Sequence, residues 1–205
     1  VNGGSLFVNN GTLYINNSII CNSSAYFDNS NPDFINKTVD DRGKEYWYTV
    51  YCKNTGLGGA ILNYGNLVIN LTELSGNYAH RGGAIADFGK TTIVSSVIRD
   101  NKGVHGGAIY TDSSKSFTIN NTVFYMNVAV LNLDHCMLER YSTGWSIDEG
   151  VRYEHRSVCE VPLGTGGAIF NKNTVLEVAN SIFDHNNAYK GGAIGTISNY
   201  GEYST

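Results

Sequence analysis

Charge of either sign is scarce in this 205-residue chain: 16% of its residues are Asp, Glu, Lys or Arg, and the net charge is −4. With an isoelectric point near 5.7 it has no basic footprint, so nucleic acid is not an expected partner. Long apolar runs are missing too. None approaches the ~20 residues of a membrane-spanning helix, and no membrane span is expected in this segment. Zinc-type C-x-x-C spacing is absent. So is the calcium-binding repeat GGxGxDxUx, and no cofactor is expected. Asn-Gly pairs at the regular spacing that hairpins would need are sparse. The chain has no initiator Met and no signal peptide, and it begins at Val1, two residues before a repeat. That start reads as a mature or excised piece.

What is abundant is Asn, Ser, Thr, Tyr and paired glycine. GGAI appears at 58, 82, 106, 166 and 191, with a worn copy, GGSL, at 3. The steps between the glycine pairs are 55, 24, 24, 60 and 25, so a unit of about 24 residues recurs and two units carry long inserts. Within each unit the apolar period is two, as strands require. LYIN (13–16), LVIN (67–70), TTIV (91–94), FTIN (117–120) and LEVA (176–179) alternate in the same phase. A further segment places Ile20, Leu74, Ile98, Phe124 and Phe183 alike. Asn77, Asn101, Asn127 and Asn186 follow three residues later, with Ser23 in the first unit. Three short strands per unit, stacked ~4.8 Å apart with like above like, make a parallel β-helix of about five and a half coils. Stacked Asn side chains then hydrogen-bond along the ladder. Ile61, Ile85, Ile109, Ile169 and Ile194 are expected to point inward. The next position (Leu62, Ala86, Tyr110, Phe170, Gly195) is expected to point outward.

The GGA-I and F-x-x-N signals, the latter as FYMN (124–127) and FDHN (183–186) with LSGN (74–77) and IRDN (98–101) as relaxed copies, resemble the repeats of chlamydial polymorphic outer-membrane proteins. They are also similar to those of adhesin-like surface proteins of methanogenic archaea. The resemblance implies a right-handed, single-stranded parallel β-helix (a β-solenoid of the pectate-lyase-like type) with a surface, adhesive or structural role. It implies no catalytic residue.

Residues 1–205 read as one β-helix domain whose inserts, 22–51 and 137–158, leave the same corner. Cys21, Cys52, Cys136 and Cys159 frame them. Of the three possible pairings, 21–52 with 136–159 closes each insert at its neck, for ~3 kcal/mol each on the chain-entropy model. Both tryptophans lie in the inserts. Tyr46, Trp47 and Tyr48 in the first, and Tyr141, Trp145, Arg152 and Tyr153 in the second, are the partner-binding candidates. Small local cores are the other reading of the same residues, and the two do not exclude each other. Six sequons, at Asn10, Asn16, Asn22, Asn36, Asn70 and Asn120, join the cysteines in pointing to a secreted or cell-surface glycoprotein. Asn16, Asn70 and Asn120 share one register position and are expected to face outward.

Polysaccharide-cleaving β-helices need clustered carboxylates, and no column here stacks acids on adjacent full rungs. A basic column, Arg81, His105 and Lys190, interrupted by Leu57 and Thr165, precedes the glycines. It reads either as solvated corner charges or as a contact for an acidic glycan. The expectation is a non-enzymatic extracellular structural or adhesive solenoid. It would be a head-to-tail filament subunit or a segment of a larger adhesin. Its partners would be its own copies or neighbouring repeats, with glycans or partner surface proteins as further ligands. A polysaccharide-binding or polysaccharide-cleaving enzyme is the alternative.

Overall fold

The computed structural model describes residues 4–8, 10–25, 34–39, 45–50, 56–113, 115–130, 141–143 and 164–197. Two compact units divide the chain. The larger is a right-handed parallel β-helix whose strands form four parallel sheets in a constant register.

The first wall follows the paired glycines: Leu6–Val8, Ile61–Asn63, Ile85–Asp87, Ile109–Thr111, Ile169–Lys172 and Ile194–Ile197. The second comprises Thr12–Asn16, Asn66–Asn70, Lys90–Val94, Ser116–Asn120 and Val175–Ala179. The third runs Ile19–Cys21, Glu73–Ser75, Val97–Arg99, Val123–Tyr125 and Ile182–Asp184. A fourth wall of two-residue strands, Ser24–Ala25, Tyr78–Ala79, Lys102–Gly103, Val128–Ala129 and Asn187–Ala188, completes each coil where three strands were expected. Two residues are too short to display any period, which is why this wall is silent in the hydrophobic pattern.

The two glycines of each pair serve different ends. The first, at 58, 82, 106, 166 and 191, has φ between 60° and 71°, the left-handed conformation that glycine adopts at no steric cost. The second lies under the next coil. A Cβ on Gly83 would overlap the carbonyl oxygen of Gly107, and one on Gly107 would overlap that of Gly167. Each corner thus needs one glycine for its turn and another for the close passage of its neighbour.

Inside, like stacks on like. Ile61, Ile85, Ile109 and Ile169 are fully buried, with Leu67, Ile69, Leu74, Ile93, Ile98, Phe117, Ile119 and Phe124. Phe124 and Phe183 stack face to face at 4.6 Å. At the two described ends the same columns are only half covered, by Leu6, Leu13 and Ile20 at one and by Leu176, Phe183 and Ile194 at the other.

The expected outward column lies outside the main core cluster, but it is not exposed to water. Leu62 and Ala86 are 0% exposed, Phe170 1% and Tyr110 3%. Leu57, Leu62 and Ala86 form a second apolar cluster with Phe88 against it. Rings run along the same face: Phe7 on Tyr64, Tyr64 stacked on Phe88, Phe88 on Tyr110, Tyr110 stacked on Phe170. Alternation assigned this face to water, whereas it carries a second layer built from residues two to five positions away in sequence.

The disulfide expectation is also corrected. Cys21 is a free, exposed thiol, and no disulfide forms among the described residues. The reason is register. Cys21 ends a third-wall strand at the position of Ser75, and Ser24–Ala25 still belong to the coil after it. It therefore projects from the wall and does not stand at an insert neck. Cys52, Cys136 and Cys159 lie outside the described residues.

The second unit comprises Asp28–Lys53 and Leu133–Pro162, so the inserts begin later than Cys21 suggested. In it, Phe34–Val39 and Glu45–Val50 pair antiparallel, and Tyr141–Thr143 of the other insert pairs antiparallel with Glu45–Val50. The two inserts thus share one three-stranded sheet.

Candidate functional site

Three polar ladders line three interior corners of the coils. At the corner between third and fourth walls the asparagines stack as expected. The Asn77 amide nitrogen donates to Asn101 Oδ1 at 2.9 Å, Asn101 to Asn127 Oδ1 at 3.0 Å, and Asn127 to Asn186 Oδ1 at 2.9 Å. Each amide nitrogen also donates to a carbonyl of the coil before, at Ile20, Leu74, Ile98 and Phe124. Ser23 opens the ladder through its backbone N–H on Asn77 Oδ1. Between second and third walls, the hydroxyls of Thr72, Ser96, Thr122 and Ser181 accept from the backbone N–H one coil back. Each donates to the carbonyl two residues before it.

The third ladder, between first and second walls, holds the one fully buried carboxylate among the described residues. Asp87 Oδ1 accepts from Asn63 Nδ2 at 2.6 Å and from the Thr91 hydroxyl at 2.7 Å. Oδ2 faces the Thr111 hydroxyl at 3.5 Å, which in turn meets Thr174. Burial pushes the Asp87 carboxyl above the ordinary carboxylate range, against the opposing pull of the bonds from Thr91 and Asn63. This acid is enclosed by the core and does not reach solvent.

Five further carboxylates of the coils lie outside and are engaged. Arg99 bridges Glu73 at 2.8 Å and Asp100 at 2.6 Å. Lys172 holds Asp112 at 3.1 Å, and Asp184 meets His185 at 2.6 Å. Glu177 faces the Thr118 hydroxyl. Among the described residues no group of three His, Cys, Asp or Glu side chains could hold a metal ion.

The basic column is where the sequence placed it but not in the environment it suggested. Leu57, Arg81, His105, Thr165 and Lys190 bridge one another in parallel, one per coil. Lys190 is exposed, Arg81 half-buried and His105 only 6% exposed. The His105 ring lies 5.4 Å from that of His80 and 5.6 Å from Phe170, and its Nδ1 is buried without a hydrogen-bond partner. Burial, and then the charge of Arg81, push the imidazole down to about 4, so it is neutral at pH 7. The Arg81 guanidinium rests 5.5 Å from the centre of the Tyr110 ring.

Of the sequon residues, Asn10, Asn16 and Asn22 are exposed, and Asn70 and Asn120 are half-buried. Asn70 Nδ2 donates to Asn16 Oδ1 at 2.9 Å, and Asn120 Oδ1 accepts from Asn180 at 3.0 Å. Asn36 sits on the Phe34–Val39 strand opposite Tyr48. Of the partner-binding candidates, Tyr46, Trp47 and Tyr48 share one strand, and Tyr141 pairs with Tyr48 across the sheet. Trp145, Arg152 and Tyr153 lie outside the described residues. The sheet that joins the inserts was not anticipated, because pairing between two segments some ninety residues apart leaves no local signal.

A shallow groove of about 370 Å³ on the outside of the second corner is lined by Ile19, Leu71, Glu73 and Val97, with Asn17 and Ser95. No helix among the described residues is long and apolar enough to cross a membrane. No protein-family model, no curated protein and no solved structure matches the chain.

Proposed function

We propose that this chain is a non-enzymatic structural or adhesive β-solenoid of an extracellular or cell-surface assembly, either a head-to-tail filament subunit or a segment of a larger adhesin. The observation that carries this reading is where the polar groups go. Asn, Ser and Thr side chains run as continuous ladders along the axis, and Asp87 is enclosed in one of them. A catalytic cleft needs free carboxylates that converge on solvent, and here Asp87 is buried while Glu73, Asp100, Asp112 and Asp184 are engaged at the surface. The repeat resemblance to bacterial and archaeal surface proteins agrees with this role.

The test has two arms. Electron microscopy of native material is expected to show the solenoid in rods, filaments or a surface layer. Incubation with a panel of uronic-acid polysaccharides is expected to release neither new reducing ends nor unsaturated sugars. Dispersed monomers recovered from the cytosol overturn the structural reading, and enzyme-dependent product release overturns the non-enzymatic one.

A further inference from the structure

Asparagine side chains stand at the corners of nearly every coil, and each brings a chemical hazard with it. The main-chain nitrogen of the residue after an asparagine can attack the asparagine's own Cγ and close a five-membered ring. The ladders oppose this reaction by holding that nitrogen in a hydrogen bond. After Asn77, Asn101 and Asn127, the N–H groups of Tyr78, Lys102 and Val128 donate to the carbonyls of Ser23, Asn77 and Asn101, each at 2.9 Å. After Asn22, the Ser23 N–H donates to Asn77 Oδ1 at 3.0 Å. Asn180 is held from the other side, its amide nitrogen donating to Asn120 Oδ1 at 3.0 Å. Asn10–Gly11 has neither restraint. Both residues are exposed, and among the described residues the Asn10 side chain and the Gly11 N–H engage no partner. Asn22 is the matched comparison: it is exposed, has φ 54° against 56° at Asn10, and also precedes a small residue.

We propose that Asn10 is a self-modification site, at which the Gly11 nitrogen displaces the Asn10 amide and the residue becomes aspartate or isoaspartate. Solvent base removes the Gly11 N–H proton as that nitrogen bonds to Asn10 Cγ. The Cγ–Nδ2 bond breaks, and Nδ2 takes up a proton and leaves as ammonia. Water then opens the succinimide. Addition at Cγ restores the ordinary main chain with an aspartate side chain. Addition at the Asn10 main-chain carbonyl leaves an isoaspartyl link that runs through the former side chain. Water is the only co-reactant. Glycine at position 11 lacks the Cβ that would crowd the attacking nitrogen. The product carries a charge where the parent has an amide, and the isoaspartyl form adds the Cβ carbon to the main chain. It does so beside Gly11 O, which accepts the Asn66 N–H at 2.8 Å, and just before Thr12–Asn16, the strand paired with Asn66–Asn70. The change therefore falls at the corner that sets the register of this strand. Asn10 also opens a sequon, and a glycan on Nδ2 replaces the departing ammonia with a bulky glycosylamine. The two modifications are alternative fates of one residue.

The experiment incubates the intact chain, folded and in urea, at neutral and mildly alkaline pH. Each asparagine peptide is followed by mass spectrometry, with fragmentation that separates aspartate from isoaspartate. Asn10 in the folded chain is expected to convert within about threefold of its rate in urea, since no hydrogen bond opposes it. Conversion should be faster at the higher pH, because the attacking nitrogen must lose its proton. Asn22 in the folded chain should fall about tenfold below its rate in urea, the effect of one held hydrogen bond. Gly11→Ala should slow Asn10 while keeping the sequon. Ser23→Gly, which puts a glycine after Asn22, should leave Asn22 protected in the folded chain and reactive in urea. Far-UV spectra unchanged from the parent establish that the variants are folded. An Asn10 that stays intact in the folded chain overturns the proposal. So does a folded Ser23→Gly chain whose Asn22 converts as fast as Asn10, because the neighbouring glycine alone would then set the rate. Uniform glycosylation of Asn10 in native material overturns it as well.

Discussion

Asn101 is the most informative position at which to test whether the asparagine ladder holds the coils together. Its Oδ1 accepts from both the backbone N–H and the side-chain nitrogen of Asn77, each at 2.9 Å. Its own Nδ2 donates to Leu74 O and to Asn127 Oδ1, each at 3.0 Å. Asn77, Asn101 and Asn127 are all buried. Asn101→Ala leaves the Asn77 N–H without an acceptor in a dry corner, a penalty of about 1–3 kcal/mol, and removes three further bonds worth about 0.5–1.5 kcal/mol each. Relaxation around the gap recovers part of this, so the expected loss is about 3–5 kcal/mol in urea denaturation. Asn186→Ala removes bonds to Asn127 and Phe124 of the same kind, but from a half-buried coil that water reaches. Its expected cost is about 1–2 kcal/mol. A cost below 1 kcal/mol at Asn101, or an equal cost at Asn186, would refute the ladder as a source of stability.

Other outcomes follow from single residues. His105 has its pKa lowered in the folded chain to about 4, from 6.5 unfolded, so its contribution to stability is complete at pH 7 and is lost as pH falls through that window. The loss is about 3 kcal/mol, and a pH series of melts should show it in the parent and not in His105→Phe. Asp87 runs the other way: its folded pKa is raised, so it favours folding at acid pH and loses that contribution as pH rises through the folded value. Asp87→Asn, in a column that already holds Asn63 and Asn171, should raise the melting temperature at pH 7 and flatten the acid limb. Leu71 has φ 49° in a column of Asn17, Ser95, Asn121 and Asn180, so Leu71→Asn should relieve strain and stabilise by about 1 kcal/mol in urea denaturation. Cys21 should react with a disulfide reagent in the native, unreduced protein, and Cys21→Ser should leave the melting temperature within about 1 °C.

The parts of this fold that were legible are those in which one residue type does the same job on every coil. The inward isoleucines after each glycine pair, the phase of LVIN and FTIN, and the Asn three places after Ile98 or Phe124 all repeat because a constant register demands it. What stayed hidden depends on more than one coil or more than one layer. Tyr110 and Phe170 alternate as outward residues should, and they are outward. They are buried all the same: Phe88 lies against the Tyr110 ring, and Tyr110 and His105 lie against Phe170. Cys21 was counted correctly and misplaced by four residues, since the strand Ser24–Ala25 that separates it from the insert is too short to announce itself.

The same distinction bears on function. A repeat that stacks like on like places each chemical group beside a copy of itself, so it favours chemistry that tolerates repetition, such as amide ladders, and works against sites that need two unlike groups at one point. Sites of the second kind must arise where the repeat is broken. In this chain the breaks are the inserts, whose strands join in a sheet of their own, and the column before the glycines, where Leu57, Arg81, His105, Thr165 and Lys190 differ from coil to coil. Variation at a register position that could have stayed uniform, with Arg81 meeting no carboxylate among the described residues, sets that corner apart from the three whose ladders do no more than hold the solenoid together.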